Sequence, residues 1–120
     1  MVSTGANIFH DLFESFGYRH YVGSEDGNDD VLRKDRIVRV YDALMDDHEI
    51  NEVIHLLSKV PEKLEERVIS SRRYLEVLGS TLKDEGSILR TASRCGVPVF
   101  IPAAASTDLR SFVSSSTVIP

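Results

Sequence analysis

The residues best suited to chemistry stand at the beginning of the sequence, where Val2-Ser3-Thr4-Gly5-Ala6-Asn7 leads directly into a helical pattern. Small side chains and a glycine between a strand and a helix let a ligand approach the backbone closely. The unpaired N–H groups of the first helical turn then face that ligand and favour a negative charge. The pattern is typical of a nucleotide-binding turn, and an ordinary turn between a strand and a helix is the alternative.

A first helix, predicted from about Asn7 to Phe16, would position this turn. Asn7 is the expected N-cap, and Gly17 is the expected stop signal. Residues 1–6 are interpreted as the end of a strand. The apolar residues at helical spacing that share one face are Ile8, Phe9, Leu12, Phe13 and Phe16.

The middle of the chain is predicted to alternate between extended and helical segments. Residues 18–22 and 37–41 are rich in aromatic and branched side chains and indicate extended segments, with a short helix over 31–36. A second helix is expected from Asp46 or Asp47 to about Lys59, because Asp46 and Glu49 have the spacing of a capping box. Pro61 would end it.

Two more helices and a strand are predicted after residue 69. The third helix would begin at Ser70 or Ser71, and the fourth near Asp84 with Gly96 after its end. Cys95 is expected in the core, on the apolar stripe of the fourth helix together with Ile88. Residues 97–101 form a continuous apolar run, which favours a buried parallel strand. The order of elements predicts an α/β layer with a parallel sheet and flanking helices.

Composition restricts the class of protein. Of the 120 residues, 42% are hydrophobic and 28% charged, which is typical of a globular chain, and the net charge of −5 gives no basic patch for nucleic acid. No apolar run approaches the length of a membrane span, and a basic region followed by an apolar stretch is missing from the N-terminus. Because one cysteine cannot form an internal disulfide, we expect a cytoplasmic protein. From the charge and the short apolar runs we expect neither a nucleic-acid partner nor a membrane partner.

Several motif-bearing segments follow one another along the chain and extend over nearly all of residues 2–105. They are Ser3 to Asn7, His10-Asp11, Gly17 to Gly23, Leu32 to Lys34, Arg36 to Asp42, Asp84 to Leu89 and Val97 to Ala103. In order and spacing these segments resemble the deoxyhypusine synthase family, in its archaeal and bacterial-like branch. The resemblance implies a single partial domain over residues 1–120 with a Rossmann-like NAD-binding fold. Residues 106–120 of this range are a divergent tail.

The resemblance also implies a reaction. Members of the family use NAD to oxidise spermidine, cleave it, and pass its aminobutyl group to a lysine of a translation factor through an enzyme-lysine imine. By matching positions, Ser3, Thr4 and Gly5 are expected to contact NAD. Phe9 and His10 fall where eukaryotic-type members place two adjacent acids that hold the amine. His10 is therefore the expected substrate-binding residue, without a carboxylate.

Two other family sites depart from the pattern. Ser106 stands where the family places an NAD-contacting aspartate, and Asp108 could substitute for it after a local shift of two residues. The family's catalytic lysine follows a Trp-Gly sequence, and this chain contains no tryptophan. The chain's own lysines are expected to be solvated surface residues, because an activated lysine needs burial or a neighbouring cation. These lysines are Lys34, Lys59, Lys63 and Lys83.

The resemblance thus favours a deoxyhypusine synthase or synthase-like transferase, present here as a short form without the catalytic lysine region. A non-catalytic relative that binds or regulates a complete synthase is the alternative, and an unrelated α/β nucleotide-binding module is a third hypothesis. The expected partners are further copies of the chain or a fuller synthase subunit. His20 is a further candidate for a site role, whereas His48 and His55 share a helical face but have no evident third metal ligand.

Overall fold

A computed structural model of the chain describes residues 1–24, 26–60, 69–102 and 118–119. Helices and short strands alternate through these residues, and the chain is a mixed α/β protein. The helices are α1 (Gly5–Ser15), α2 (Asp29–Lys34), α3 (Asp47–Ser58), α4 (Ser71–Thr81) and α5 (Ile88–Arg94). The strands are β1 (Tyr21–Val22), β2 (Ile37–Val40), β3 (Ala43–Asp46), β4 (Ile69–Ser70) and β5 (Val118–Ile119).

Helix α1 has the predicted apolar face but begins earlier than the sequence indicated. Thr4, not Asn7, is the N-cap: its backbone is extended, and its hydroxyl Oγ1 accepts a hydrogen bond from the Asn7 N–H at 3.2 Å. The expected cap at Asn7 is therefore wrong, because the hydroxyl three residues earlier already satisfies the Asn7 N–H. Gly17 ends the helix with φ of +94°, which confirms its stop role. The buried side chains of α1 are Ile8, Phe9, Leu12 and Phe13.

The three-stranded sheet is antiparallel, with strand order β1-β3-β2. Strands β2 and β3 form a hairpin in which Val40 pairs with Ala43, leaving only Tyr41 and Asp42 in the turn. Tyr41 takes a left-handed φ of 56° there. The extended segments at 18–22 and 37–41 were predicted from sequence. Strand β3 and the antiparallel pairing were not.

Parallel pairing occurs at two places outside that sheet. The segment around Val2 lies beside the segment around Phe100, where the Ser3 N–H donates to the Phe100 carbonyl oxygen at 3.0 Å. Strand β4 pairs with β5 in parallel, Ile69 opposite Val118. Residues 97–101 were expected to be buried continuously, and this is wrong. Val99 and Ile101 are buried, whereas Phe100 between them is 46% exposed, because the segment is extended and alternate side chains point to opposite sides. Val97, directly after the glycine that follows the end of α5, is 43% exposed.

Helices α3 and α4 begin at the predicted caps. The Asp46 carboxylate accepts from the N–H groups of His48 and Glu49, and the Ser70 hydroxyl accepts from the Arg73 N–H. Each of the two helices buries an apolar stripe, and these stripes join the buried face of α1 in one core. The core comprises Ile8, Phe9, Leu12, Phe13, Met45, Val53, Leu57, Tyr74, Leu75, Leu78, Leu82, Leu89, Ala92, Val99 and Ile101.

Helix α5 is shorter than predicted and is anchored by α1. It begins at Ile88 after the N-cap Ser87, not near Asp84, because the Asp84 carboxylate caps a separate turn through the Gly86 N–H. The Asp11 carboxylate of α1 accepts from the Ser87 hydroxyl at 2.9 Å and from the N–H groups of Ile88 and Leu89 at 2.8 and 3.0 Å. A carboxylate from one helix therefore satisfies the first turn of another, where negative charge is favoured.

Two residues predicted in the α5 stripe are on the surface. Cys95 is exposed at the C-cap, and Ile88 is 53% exposed at the first position of the helix. The predicted stripe assumed a helix that begins near Asp84 and includes Cys95, whereas Ile88 is the first helical residue and Cys95 follows the last one. Gly96, with φ of +65°, follows the helix end as predicted.

No helix in the described residues combines the length and the apolarity needed to cross a membrane. The candidate NAD contacts Ser106 and Asp108 lie outside the described residues, as does the tail from residue 106 apart from β5.

Candidate functional site

The predicted nucleotide turn is the start of α1, held in place by the neighbouring extended segment. Hydrogen bonds between the segments around Val2 and Phe100 fix the chain just before the helix. Ser3 is half-buried, Thr4 is exposed and Gly5 is buried. The structure therefore brings the three predicted cofactor-binding residues together as one turn between an extended segment and a helix.

Two N–H groups remain available at this turn. Thr4 supplies the acceptors for the Asn7 N–H, through its hydroxyl, and for the Ile8 N–H, through its carbonyl at 3.3 Å. The N–H groups of Gly5 and Ala6 have no acceptor among the residues that the structure describes. No acidic side chain lies in the first turn of α1 to compensate the positive end of its dipole. The turn thus has the polarity that suits a phosphate group.

His10 lies on the same helix, half-buried, and is linked to two other titratable side chains. Its Nδ1 is 2.7 Å from Nε2 of His20, and Nδ1 of His20 is 2.8 Å from a carboxylate oxygen of Glu14. Burial, and secondly the positive charge that His20 can carry, lower the pKa of His10 below 6.5, while Glu14 acts in the opposite direction. At neutral pH His10 is therefore a neutral imidazole.

Of the adjacent residues Phe9 and His10, only His10 faces the surface. The Phe9 side chain is 7% exposed and belongs to the core, with its ring centroid 6.3 Å from that of Phe13. Phe13 in turn lies against His20 at a centroid separation of 5.1 Å. The imidazole of His20 therefore has an apolar floor on one side.

The link from His10 through His20 to Glu14 was not predicted from sequence. His10 and Glu14 stand four residues apart on α1, and this spacing places them on one face of a helix. That spacing was the available signal. His20 was only a weak candidate, because its side chain reaches α1 through a chain reversal after Gly17 that the local pattern does not specify.

The remaining sequence candidates are separate from this site. Lys34, Lys59 and Lys83 are exposed, as predicted, and Lys63 lies outside the described residues. Among the described side chains, no cluster of three or more histidine, cysteine or acidic residues is arranged to hold a metal ion. A cavity of about 150 Å³ lies between α4, α5 and residues 96–99, and no residue of the turn lines it.

A glycine-containing turn at a helix start, beside a paired extended segment, is an arrangement that nucleotide-binding α/β proteins use. Comparison with known families makes the class specific. Residues 1–111 match the family described as deoxyhypusine synthase, and the chain belongs to that family. The resemblance inferred from the sequence motifs is thereby confirmed.

Individual relatives agree with this assignment. The chain is 41% identical over 103 residues to a probable deoxyhypusine synthase 1 of Methanosarcina acetivorans, covering 86% of this chain and 32% of the relative. It is 39% identical over 111 residues to a probable deoxyhypusine synthase 2 of Archaeoglobus fulgidus, covering 91% and 37%. A deoxyhypusine synthase-like protein of Caulobacter vibrioides is 39% identical over 109 residues, covering 86% and 30%. The chain thus spans about a third of the length of these curated relatives.

Proposed function

We propose that this chain forms the cofactor turn and part of the amine site of a deoxyhypusine synthase-type transferase. In this reaction the aminobutyl group of spermidine passes, with NAD as oxidant, to a lysine of a translation factor. The observation that carries the proposal is the start of α1, where the matched residues Ser3, Thr4 and Gly5 leave two N–H groups and an uncompensated helix dipole. NAD would supply hydride acceptance, and these residues would hold its phosphates.

The proposal includes a partial Rossmann-like arrangement around the turn. Its support is the parallel pairing of the Val2 segment with the Phe100 segment, with α1 following the first of the two. In open α/β sheets, ligands bind beyond the carboxyl ends of parallel strands, and the turn at Thr4 occupies such a position. The antiparallel sheet formed by β1, β2 and β3 would be an addition outside this nucleotide-binding unit.

His10 is the amine-binding residue in this proposal. Its imidazole is neutral at neutral pH and can accept a hydrogen bond from an ammonium group. A neutral acceptor attracts a polycation less strongly than a carboxylate does, because it contributes no full charge. The amine site of this chain is therefore expected to be weaker and less selective for spermidine than one built from two acids.

The lysine that forms the imine is proposed to come from outside the residues described here. Lys34, Lys59 and Lys83 are all exposed, and an imine-forming lysine needs desolvation or a cationic neighbour. Association with a fuller synthase subunit would supply it, because further copies of this chain carry only the same lysines. The same exposure favours a second candidate, a non-catalytic relative that binds a complete synthase.

Calorimetric titration with NAD tests the cofactor turn. Gly5→Val places a branched side chain at a buried backbone position beside the free N–H groups, and we expect it to abolish any NAD heat signal. Gly86→Val is the matched control, because a Cβ at Gly86 meets its nearest atom only at 3.4 Å, which is ordinary contact. NAD binding that is equally strong in both variants would contradict the proposed turn.

The two candidate functions separate in a reconstitution assay. The chain would be mixed with NAD, labelled spermidine and the acceptor protein, with and without a complete synthase of the family. Label transfer that requires this chain supports the transferase. If the complete synthase transfers the label by itself and this chain only changes the rate, the regulatory relative is supported. If the chain binds neither NAD nor a synthase, both candidate functions are refuted.

A further inference from the structure

The hydrogen-bonded side chains His10, His20 and Glu14 fix the position of each proton between them. A carboxylate only accepts, so the 2.8 Å contact requires His20 to donate through Nδ1 to Glu14. A neutral His20 then has an unprotonated Nε2, which must accept at 2.7 Å from Nδ1–H of His10. His10 is left with a lone pair on Nε2, and this atom has no partner among the described residues.

The Glu14 carboxylate sets the donor-to-acceptor order of the two hydrogen bonds, because it can only accept. Glu14 is 63% exposed, whereas the His20 side chain is 18% exposed and lies between Glu14 and His10. His20 and Glu14 are also the titratable groups that act on the pKa of His10. A buried imidazole oriented by a carboxylate through its Nδ1–H is the arrangement that fixes a tautomer in known general bases. Here a second imidazole carries that effect one residue further.

We propose that Glu14 and His20 are positioning residues that hold His10 with its proton on Nδ1, so that Nε2 of His10 acts as the hydrogen-bond acceptor and general base toward a primary ammonium group. This inference rests on the proposed function for the identity of the amine. It assigns to a pair of imidazoles and one glutamate the amine-holding task of the two adjacent acids in the eukaryotic-type pattern, and it adds proton transfer to that task.

The proton step is balanced within these groups and the amine. The N–H bond of the bound ammonium breaks and an N–H bond forms at Nε2 of His10. The amine keeps the electron pair and becomes neutral, while His10 becomes an imidazolium whose Nδ1–H still donates to His20. Glu14 stabilises the new positive charge through His20 without taking a proton itself. A neutral amine is the form that can react with a carbonyl or an imine.

Nitrogen-15 NMR of the imidazole rings tests the assignment without any ligand. At pH 8, the full chain should show His10 and His20 both protonated at Nδ1 and unprotonated at Nε2. His48 serves as an internal reference together with the exposed His55. The His48 side chain is 71% exposed, and its Nδ1 is 3.9 Å from a Glu52 carboxylate oxygen, which is too long for a hydrogen bond. Protonation of either His10 or His20 at Nε2 would overturn the proposal.

Glu14→Gln tests whether the Glu14 carboxylate fixes the tautomers of His20 and His10. A carboxamide can donate as well as accept, so the His20 proton is no longer confined to Nδ1. In each molecule in which His20 carries its proton on Nε2, His10 must carry its own proton on Nε2 as well, because Nδ1 of His10 then accepts from His20. We expect the tautomers of both rings to shift together, and Glu14→Ala to do the same. Glu76→Gln, an exposed glutamate paired with Arg73, is the control and should change neither ring. Unchanged tautomers in both Glu14 variants would overturn the proposal.

Spermidine titration separates this inference from the function on which it rests. If spermidine binds by calorimetry, the Nε2 signal of His10 should move in the wild type and the shift should weaken in Glu14→Gln. Binding that leaves His10 Nε2 unmoved refutes the inference but not the function. Absence of binding by calorimetry removes the proposed amine site, and the acceptor role of His10 with it.

Discussion

Replacing Asp11 by alanine should separate two helices that the fold depends on. The carboxylate accepts from the Ser87 hydroxyl and from the N–H groups of Ile88 and Leu89 at 2.8 to 3.0 Å. Asp11→Ala would leave these three donors without their acceptor. Ser87 is 1% exposed, so its hydroxyl has little access to water as a replacement.

The expected loss in free energy of unfolding follows from these contacts. A hydrogen bond to a charged group contributes about 1.5–3 kcal/mol, and loss of an N-terminal cap costs about 0.5–2 kcal/mol. The three bonds share one carboxylate and Asp11 is half-buried, so their contributions do not add in full. We expect Asp11→Ala to cost about 2–4 kcal/mol. With a urea m-value of about 2 kcal/mol/M, the midpoint would fall by about 1–2 M.

Urea denaturation followed by circular dichroism measures this change. Asp26→Ala is the control, because Asp26 is exposed and its hydrogen bond to the Ser24 hydroxyl uses the backbone N–H, not the carboxylate. Combining Asp11→Ala with Ser87→Ala should give a coupling energy of about 0.5–3 kcal/mol, as for residues in one network. A cost for Asp11→Ala no larger than that of Asp26→Ala would refute this account of how α1 and α5 are joined.

Four further perturbations follow from the same structure. Gly79→Ala should cost about 1–3 kcal/mol in thermal or urea unfolding, since a Cβ there would lie 2.6 Å from the Leu89 carbonyl oxygen; an unchanged midpoint would contradict the close approach of α4 and α5. Tyr41→Gly should stabilise the hairpin by about 0.5–1 kcal/mol by relieving the left-handed φ of 56°, and a lower midpoint would contradict this. Because the pKa of His10 is lowered on folding, the folded chain binds fewer protons, and the free energy of unfolding should fall as pH drops from about 6.5 to the folded pKa. His10→Gln should flatten that part of the profile, and an unaltered slope would assign it to another group. Light scattering at micromolar concentration should give a mass above the monomer, because Val22 on the edge strand β1 is 92% exposed; a sharp monomer peak would disprove this.

The helices were predictable because each has a local signal. Apolar spacing at Ile8 and Leu12 identified the buried face of α1, and Asp46 and Ser70 identified the starts of α3 and α4. These signals depend on residues within one or two turns of each other. The start of α1 was misplaced because two capping residues, Thr4 and Asn7, compete within one turn, and the sequence does not rank them.

Strand β3 and the α5 boundary depend on partners that are distant in sequence. The hairpin turn at Tyr41 contains no glycine, so its left-handed residue has no sequence signal. Asp11 caps α5 from more than seventy residues away. The same reason explains why the turn from Ser3 to Gly5 has a local motif, whereas the contact between His10 and His20 has none: the two rings meet only after the chain reverses at Gly17.

Helix α1 carries both the proposed cofactor turn and the proposed amine-binding histidine, and this fixes the distance between them. His10 stands five positions after Gly5, which corresponds to about 7.5 Å along the helix axis at 1.5 Å per residue. Removing one residue between them would shorten this distance by about 1.5 Å and rotate Gly5 by about 100° about the helix axis relative to His10. The spacing of the two proposed ligand groups is therefore set by residue count in a helix, and it can change only in steps that also turn one group away from the other.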